Sequence, residues 1–128
     1  MTDSVKILAV DDVQMNLEML EIMLLTLPCV CLKASNGRDG LDLLRLHPDT
    51  KAILLDLTMP IMDGFEMLAQ LKQDQTLRAI PVIVITSDKE MVLRALSLGA
   101  NDFLATPCDP QELRLRVINQ LGIKNYSS

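Results

Sequence analysis

The sequence predicts an α/β domain, a three-layer sandwich with a parallel sheet between two layers of helices. Three observations carry this. Short apolar runs alternate with longer helix-patterned stretches along the whole chain, the inner runs are continuously apolar, and the connecting segments are long enough for right-handed crossovers. Continuous apolar character is what a strand buried on both faces of a parallel sheet requires; a half-exposed strand would alternate.

The first strand is expected at Val5 to Val10. The helix pattern after it places Leu17, Leu20, Leu24 and Leu27 on one face and Met15, Met19 and Met23 on a second stripe at four-residue spacing. Glu18 and Glu21 mark its solvated side, and Pro28 stops it. Val30 to Ala34 is shorter and more mixed, as suits an edge strand, and the helix after it stops at Pro48. Ala52 to Leu55 is the third strand; Asp63 before Gly64 starts a helix running to about Gln73. The fourth strand is Val82 to Ile85. Ser87 with Glu90 forms a capping-box pattern for its helix, which Gly99 ends. Phe103 to Ala105 is the second edge strand, and Asp109-Pro110-Gln111-Glu112 opens the last helix with a proline at its first position. Lys124 to Ser128 read as a frayed end. Periodicity leaves the strand order open.

At 128 residues this is one domain with its core between about residues 5 and 121. Nearly half the residues are apolar but few are aromatic, so Leu, Ile, Val and Met must fill the interior. A net charge of −5 without a basic cluster argues against direct binding of nucleic acid or an anionic membrane. No apolar run approaches a membrane span and no signal-peptide layout is present, so a cytoplasmic location is expected. Cys29 and Cys31 alternate about Val30 as one face of a strand, and with Cys108 they read as buried or idle thiols in a reducing compartment.

Ligands of open parallel sheets sit outside the carboxyl ends of the strands. The first strand ends in Asp11-Asp12, the third in Asp56 and the fourth in Thr86-Ser87. If these strands are neighbours, three carboxylates meet at one rim. Two like charges about 4 Å apart repel by roughly 4 kcal/mol at an effective dielectric near 20, so the cluster must protonate, spread into water or bind a cation. Hard oxygen donors with open positions suit Mg²⁺, with Asp12 and Asp56 as direct ligands and Asp11 acting at least partly through water. A backbone carbonyl near Thr58 would complete the protein's share. Taken singly, Asp11 or Asp12 would serve as a helix cap and Asp56 as a turn residue; together they point to a metal site.

With the acidic pair, the run Leu54-Leu55-Asp56-Leu57-Thr58-Met59-Pro60-Ile61-Met62-Asp63-Gly64, Thr86, and Gly99-Ala100-Asn101-Asp102-Phe103-Leu104 leading into Pro107, the sequence resembles the receiver domains of two-component response regulators (the CheY-like family). The match runs from about Val5 to Leu121. The resemblance implies a flavodoxin-like, doubly wound, five-stranded parallel sheet of order 2-1-3-4-5. It also implies Mg²⁺-dependent phosphorylation of Asp56, and a switch in which Thr86 moves toward the phosphoryl group while Phe103 turns inward. On residue type alone, Thr86 would equally be a strand-end residue and Phe103 a core side chain.

One position departs. The family pattern has a lysine immediately before the last proline, where this chain has Thr106-Pro107; Lys89, the nearest basic residue, belongs to the fourth helix. A hydrogen bond to a charged group contributes about 1.5–3 kcal/mol, and a threonine hydroxyl brings no charge. Thr106 is therefore expected to spare Mg²⁺ binding and slow phosphorylation but weaken the switch. The alternative is a phosphate-independent interaction module.

The resemblance also implies a histidine kinase or histidine phosphotransfer protein as donor, docking on the first helix with Met15 and Met19 as candidate contacts. An output domain or downstream protein, or a second copy of the chain, would follow as further partners. No turnover of external substrates is expected. Haloacid dehalogenase-type phosphatases carry a second acid two residues beyond the nucleophile, where this chain has Thr58.

Overall fold

The computed structural model describes residues 5–57 and 63–121. Five strands, β1 (Val5–Val10), β2 (Cys29–Ala34), β3 (Ala52–Asp56), β4 (Val82–Ile85) and β5 (Asp102–Leu104), alternate with helices α1 (Gln14–Met23), α2 (Gly37–Leu46), α3 (Gly64–Gln73), α4 (Lys89–Ser97) and α5 (Pro110–Leu121). All strand pairs are parallel, in the order β2-β1-β3-β4-β5. The chain therefore reverses its winding direction between β1 and β3, the crevice where ligands of such sheets sit.

The central strands bury alternate residues in two different cores. Leu8, Val10, Ile53, Leu55, Val82 and Val84 pack with α2, α3 and α4. Ile7, Ala9, Ala52, Leu54, Ile83 and Ile85 pack with α1 and α5. Both faces being covered is why these strands show no polar alternation. Cys29 and Cys31 lie in register with Val5 and Ile7 and pack on the α1–α5 side, while Val30 between them is exposed. Burial pushes the Cys31 thiol up to about 11, helped by the nearby Glu21 carboxylate, so it is an inert thiol rather than a nucleophile.

Two local expectations change. The α4 cap is Asp88, whose carboxylate accepts from the Glu90 N–H at 2.9 Å, not Ser87; an ionised acceptor one residue closer to the helix displaces the capping box. The edge strand β5 starts at Asp102 because Asp102 aligns with Ile83 and its carboxylate is held by Arg116 at 3.2 Å. The Asp63 cap forms as expected, accepting from the Glu66 N–H at 2.9 Å, and Asp109 accepts from the Glu112 N–H at 2.9 Å. No helix among the described residues is long and apolar enough to cross a membrane.

Candidate functional site

The register brings the predicted polar residues together. Val10 lies beside Leu55, Leu55 beside Val84, and Asp56 beside Ile85, so Asp11, Asp56 and Thr86 follow at the carboxyl ends of three adjacent strands. One carboxylate oxygen from each of Asp11, Asp12 and Asp56 lies within 4.8 Å of the other two. Asp11 is 7% exposed, Asp56 is half-buried and Asp12 faces solvent.

Asp11 does not cap α1, whose N-cap is Val13. Its carboxylate accepts from the Val13 N–H at 2.9 Å and from Asn16 Nδ2 at 3.2 Å, which fixes it toward the cluster. Burial raises its pKa above the ordinary carboxylate value; the two hydrogen bonds oppose the shift and Asp12 adds to it. The ionised form is therefore disfavoured in the fold. Its penalty is present at neutral pH and disappears as pH falls through the raised value. Asp11→Asn keeps an acceptor for Val13, and Asn16 can turn its amide over. The variant should thus melt at a higher temperature than the parent without divalent cation, and gain less from added Mg²⁺. A parent-like response to Mg²⁺ in thermal scans would remove Asp11 from the metal site.

The donor set fits Mg²⁺. Three hard carboxylates converge with one solvent-facing member, which leaves room for the waters this ion retains. Thr58, whose carbonyl was expected to contribute, lies outside the described residues.

These residues line a cleft of about 620 Å³ together with Thr86, Ser87, Thr106 and Cys108. Thr106 is exposed and precedes a cis proline. No lysine or arginine is among the described residues lining the cleft. The Thr86 hydroxyl accepts from the Asp88 N–H at 3.2 Å and points its own hydrogen at Met91 Sδ, 3.8 Å away. Phe103 is 39% exposed, so it is not a core side chain. Met15 and Met19 are 68% and 48% exposed, whereas Leu17, Leu20, Leu24 and Leu27 are all buried. The apolar residues of α4 divide: Val92 is buried, while Leu93 and Leu96, like Leu98 just after the helix, are exposed.

Asn16 and Met23 were not singled out as site residues from sequence. Asn16 had a signal, since it lies one turn into α1 after the acidic pair; Met23 had none beyond its stripe.

Residues 7–118 match the family model of the response regulator receiver domain. Response regulator PleD of Caulobacter vibrioides is 40% identical over 120 residues, covering 89% of this chain. The chain spans about a quarter of PleD's length, 25%. A putative response regulator from Chloroflexus aurantiacus J-10-fl superposes with a TM-score of 0.89 at 30% identity, over 94% of this chain and 99% of the other. CheY in a complex of CheX, CheY, BeF3 and Mg²⁺ from Borrelia burgdorferi superposes with a TM-score of 0.84 at 25% identity, over 94% and 90%.

Proposed function

The chain belongs to the response regulator receiver domain family, and on that premise we propose that Asp56 accepts a phosphoryl group from a histidine kinase or histidine phosphotransfer protein in a Mg²⁺-dependent reaction. The observation that carries this is the convergence of Asp11, Asp12 and Asp56 at the topological switch of the sheet. A donor phosphorus–nitrogen bond breaks as an Asp56 Oδ–phosphorus bond forms; the histidine nitrogen keeps the electron pair and later takes a proton. Asp12 and Asp56, with Asp11 behind them, would hold Mg²⁺, which when bound neutralises charge on the transferring oxygens. Met15 and Met19, exposed on α1, are the donor's docking contacts.

Thr86 reads the phosphoryl group. Its hydrogen bond to the Met91 sulfur is weak, so the hydroxyl can leave it for a charged oxygen at little cost. The space vacated lets the exposed Phe103 turn inward and changes the surface that an output domain, a downstream protein or a second copy reads. The chain acts on its own carboxylate, with slow loss of its own phosphoryl group, and turns over no external ester. Its place is the cytoplasm. Thr106 in the cleft favours one second function, a phosphate-independent interaction module.

Intact-mass measurement after incubation with acetyl phosphate tests this. One phosphoryl adduct is expected with Mg²⁺, and none without it or with Asp56→Asn. An adduct that persists in Asp56→Asn would move the acceptor elsewhere, and none under conditions that modify ordinary receivers would favour the interaction module.

A further inference from the structure

We propose that the free edge of β2 docks an extended segment of another protein, which adds a strand to the sheet and alternates apolar with basic side chains. Such docking needs no phosphoryl group on Asp56.

The backbone supplies the site. β2 ends the sheet. The Val5 N–H donates to the Pro28 carbonyl at 3.3 Å, and the Asp11 N–H to the Ala34 carbonyl at 3.1 Å. The register between these two bonds is one-to-one, so alternate residues bond to β1, and Val30 and Leu32 face it as well. Cys29, Cys31 and Lys33 therefore turn their N–H and carbonyl groups away from the sheet. The Cys29 N–H donates to the Leu27 carbonyl at 2.8 Å, whereas those of Cys31 and Lys33 have no backbone partner among the described residues. A row of this kind is a template for one more strand.

The edge also lacks the usual protection. β2 is six residues long, with no proline, no glycine and no bulge in its register. Its one charged residue, Lys33, is held by Glu21 at 2.8 Å. The opposite edge is blunted: β5 has three residues, and its Asp102 is bound to Arg116.

The two faces of the edge describe the occupant. Cys29 and Cys31 pack on the α1–α5 side, so Val30 and Leu32 lie on the α2 side. Leu32 packs partly against that core, and Val30 is 45% exposed. Apolar side chains of an added strand would pair with them across the ladder. On the α1 side two carboxylates share one ammonium: Glu21 pairs with Lys33, and Glu18, bonded only to the uncharged Gln14 amide at 3.4 Å, also acts on Lys33. The alternate residues of the added strand meet this excess of negative charge, which favours lysine or arginine. A second copy, pairing antiparallel about a two-fold axis, would bring its own Glu18 and Glu21 to the same side and double the excess.

The probe is the capped peptide Thr-Val-Lys-Val-Lys-Val-Thr, titrated by NMR against the whole labelled chain without phosphodonor. Saturable shifts centred on the Cys31 and Lys33 amides are expected, with hydrogen exchange of those two N–H groups slowed about tenfold at saturation. The same peptide N-methylated at alternate residues should not bind, because it cannot complete the ladder. Glutamate in place of both lysines should weaken binding about tenfold at low salt. Glu18→Lys, at an exposed helix position, should remove that preference. Equal binding of the N-methylated or the glutamate peptide would overturn the proposal. So would the absence of shifts at Cys31 and Lys33 up to the solubility of the peptide, or shifts gathered at the carboxyl ends of the strands instead. Sedimentation of the chain alone is the remaining arm. A dimer whose Cys31 and Lys33 N–H groups already exchange slowly would give the edge to a second copy and overturn the assignment to a different partner.

Discussion

Replacing Thr106 by lysine is expected to move the protein toward its switched conformation by up to about a hundredfold when phosphate or its mimic is bound. The new ammonium would enter the cleft that already holds Asp11, Asp12 and Asp56. A hydrogen bond to a charged group contributes about 1.5–3 kcal/mol, and about 1.4 kcal/mol is a factor of ten in a population. Only the part of that energy that differs between the two conformations moves the equilibrium. The lysine meets that condition to the extent that a phosphoryl oxygen in the switched form holds it more strongly than a carboxylate in the resting form, so the hundredfold figure is the upper bound of the shift. Thr106 contributes one neutral hydroxyl in either state. The measurement is NMR of the Thr86 methyl and Phe103 ring with beryllofluoride and Mg²⁺, comparing the two proteins. If the parent is already fully switched and the lysine adds nothing, charge at this position is dispensable and the role given to it here is wrong. The same substitution should raise the melting temperature of the metal-free protein, since it offsets repulsion among the three acids.

How much of this was legible in the sequence depends on how local each cause is. β1, β3 and β4 were readable to the residue or nearly so because burial on both faces leaves an apolar run, broken in β1 only by Lys6 at its half-buried start. The edges were readable only to within a residue. β2 gains Cys29 and β5 slides back to Asp102, and in each case a partner across the sheet or on α5 decides. Strand order is not a property of periodicity at all. It came from the resemblance carried by the motifs around Asp56, and the structure shows the same order. The acids were legible because a strand end fixes where a residue must be, whatever its neighbours do. The outer stripe of α1 was not. Spacing shows that Met15 and Met19 share a face, but whether another element covers that face depends on where α5 lies. It packs on the leucine side and leaves Met15 and Met19 in solvent. Likewise, that the Asp11 carboxylate is held by the Val13 N–H and by Asn16 is a local contact that strand and helix periodicity does not show.

Gly64 was read from sequence only as part of a motif and the start of α3; the structure gives it the most demanding position near the site. A β-carbon built there would lie 2.6 Å from the Asp56 carbonyl oxygen and 2.6 Å from the Leu57 α-carbon. Both obstacles are backbone, and neither can turn aside as a side chain would. The close approach is held by the Gly64 N–H, which donates to the Leu57 carbonyl at 3.1 Å, while Asp63 caps the helix just before it. Gly64→Ala must therefore push α3 away from β3 or displace the end of β3 itself. Overpacking a rigid site costs about 1–3 kcal/mol and occasionally more, and a clash with two backbone atoms belongs at the upper end, about 3 kcal/mol. Urea denaturation should show that loss as a lower midpoint with an unchanged slope. Because the strand end that would move carries Asp56, the variant should also lose Mg²⁺ affinity by more than an equally destabilising change far from the site. Leu44→Ala, fully buried in the last turn of α2 and absent from the cleft lining, provides that comparison. Equal Mg²⁺ affinity in the two variants would mean that Gly64 serves only packing. A Gly64→Ala protein of parental stability would show that α3 can retreat freely from Asp56.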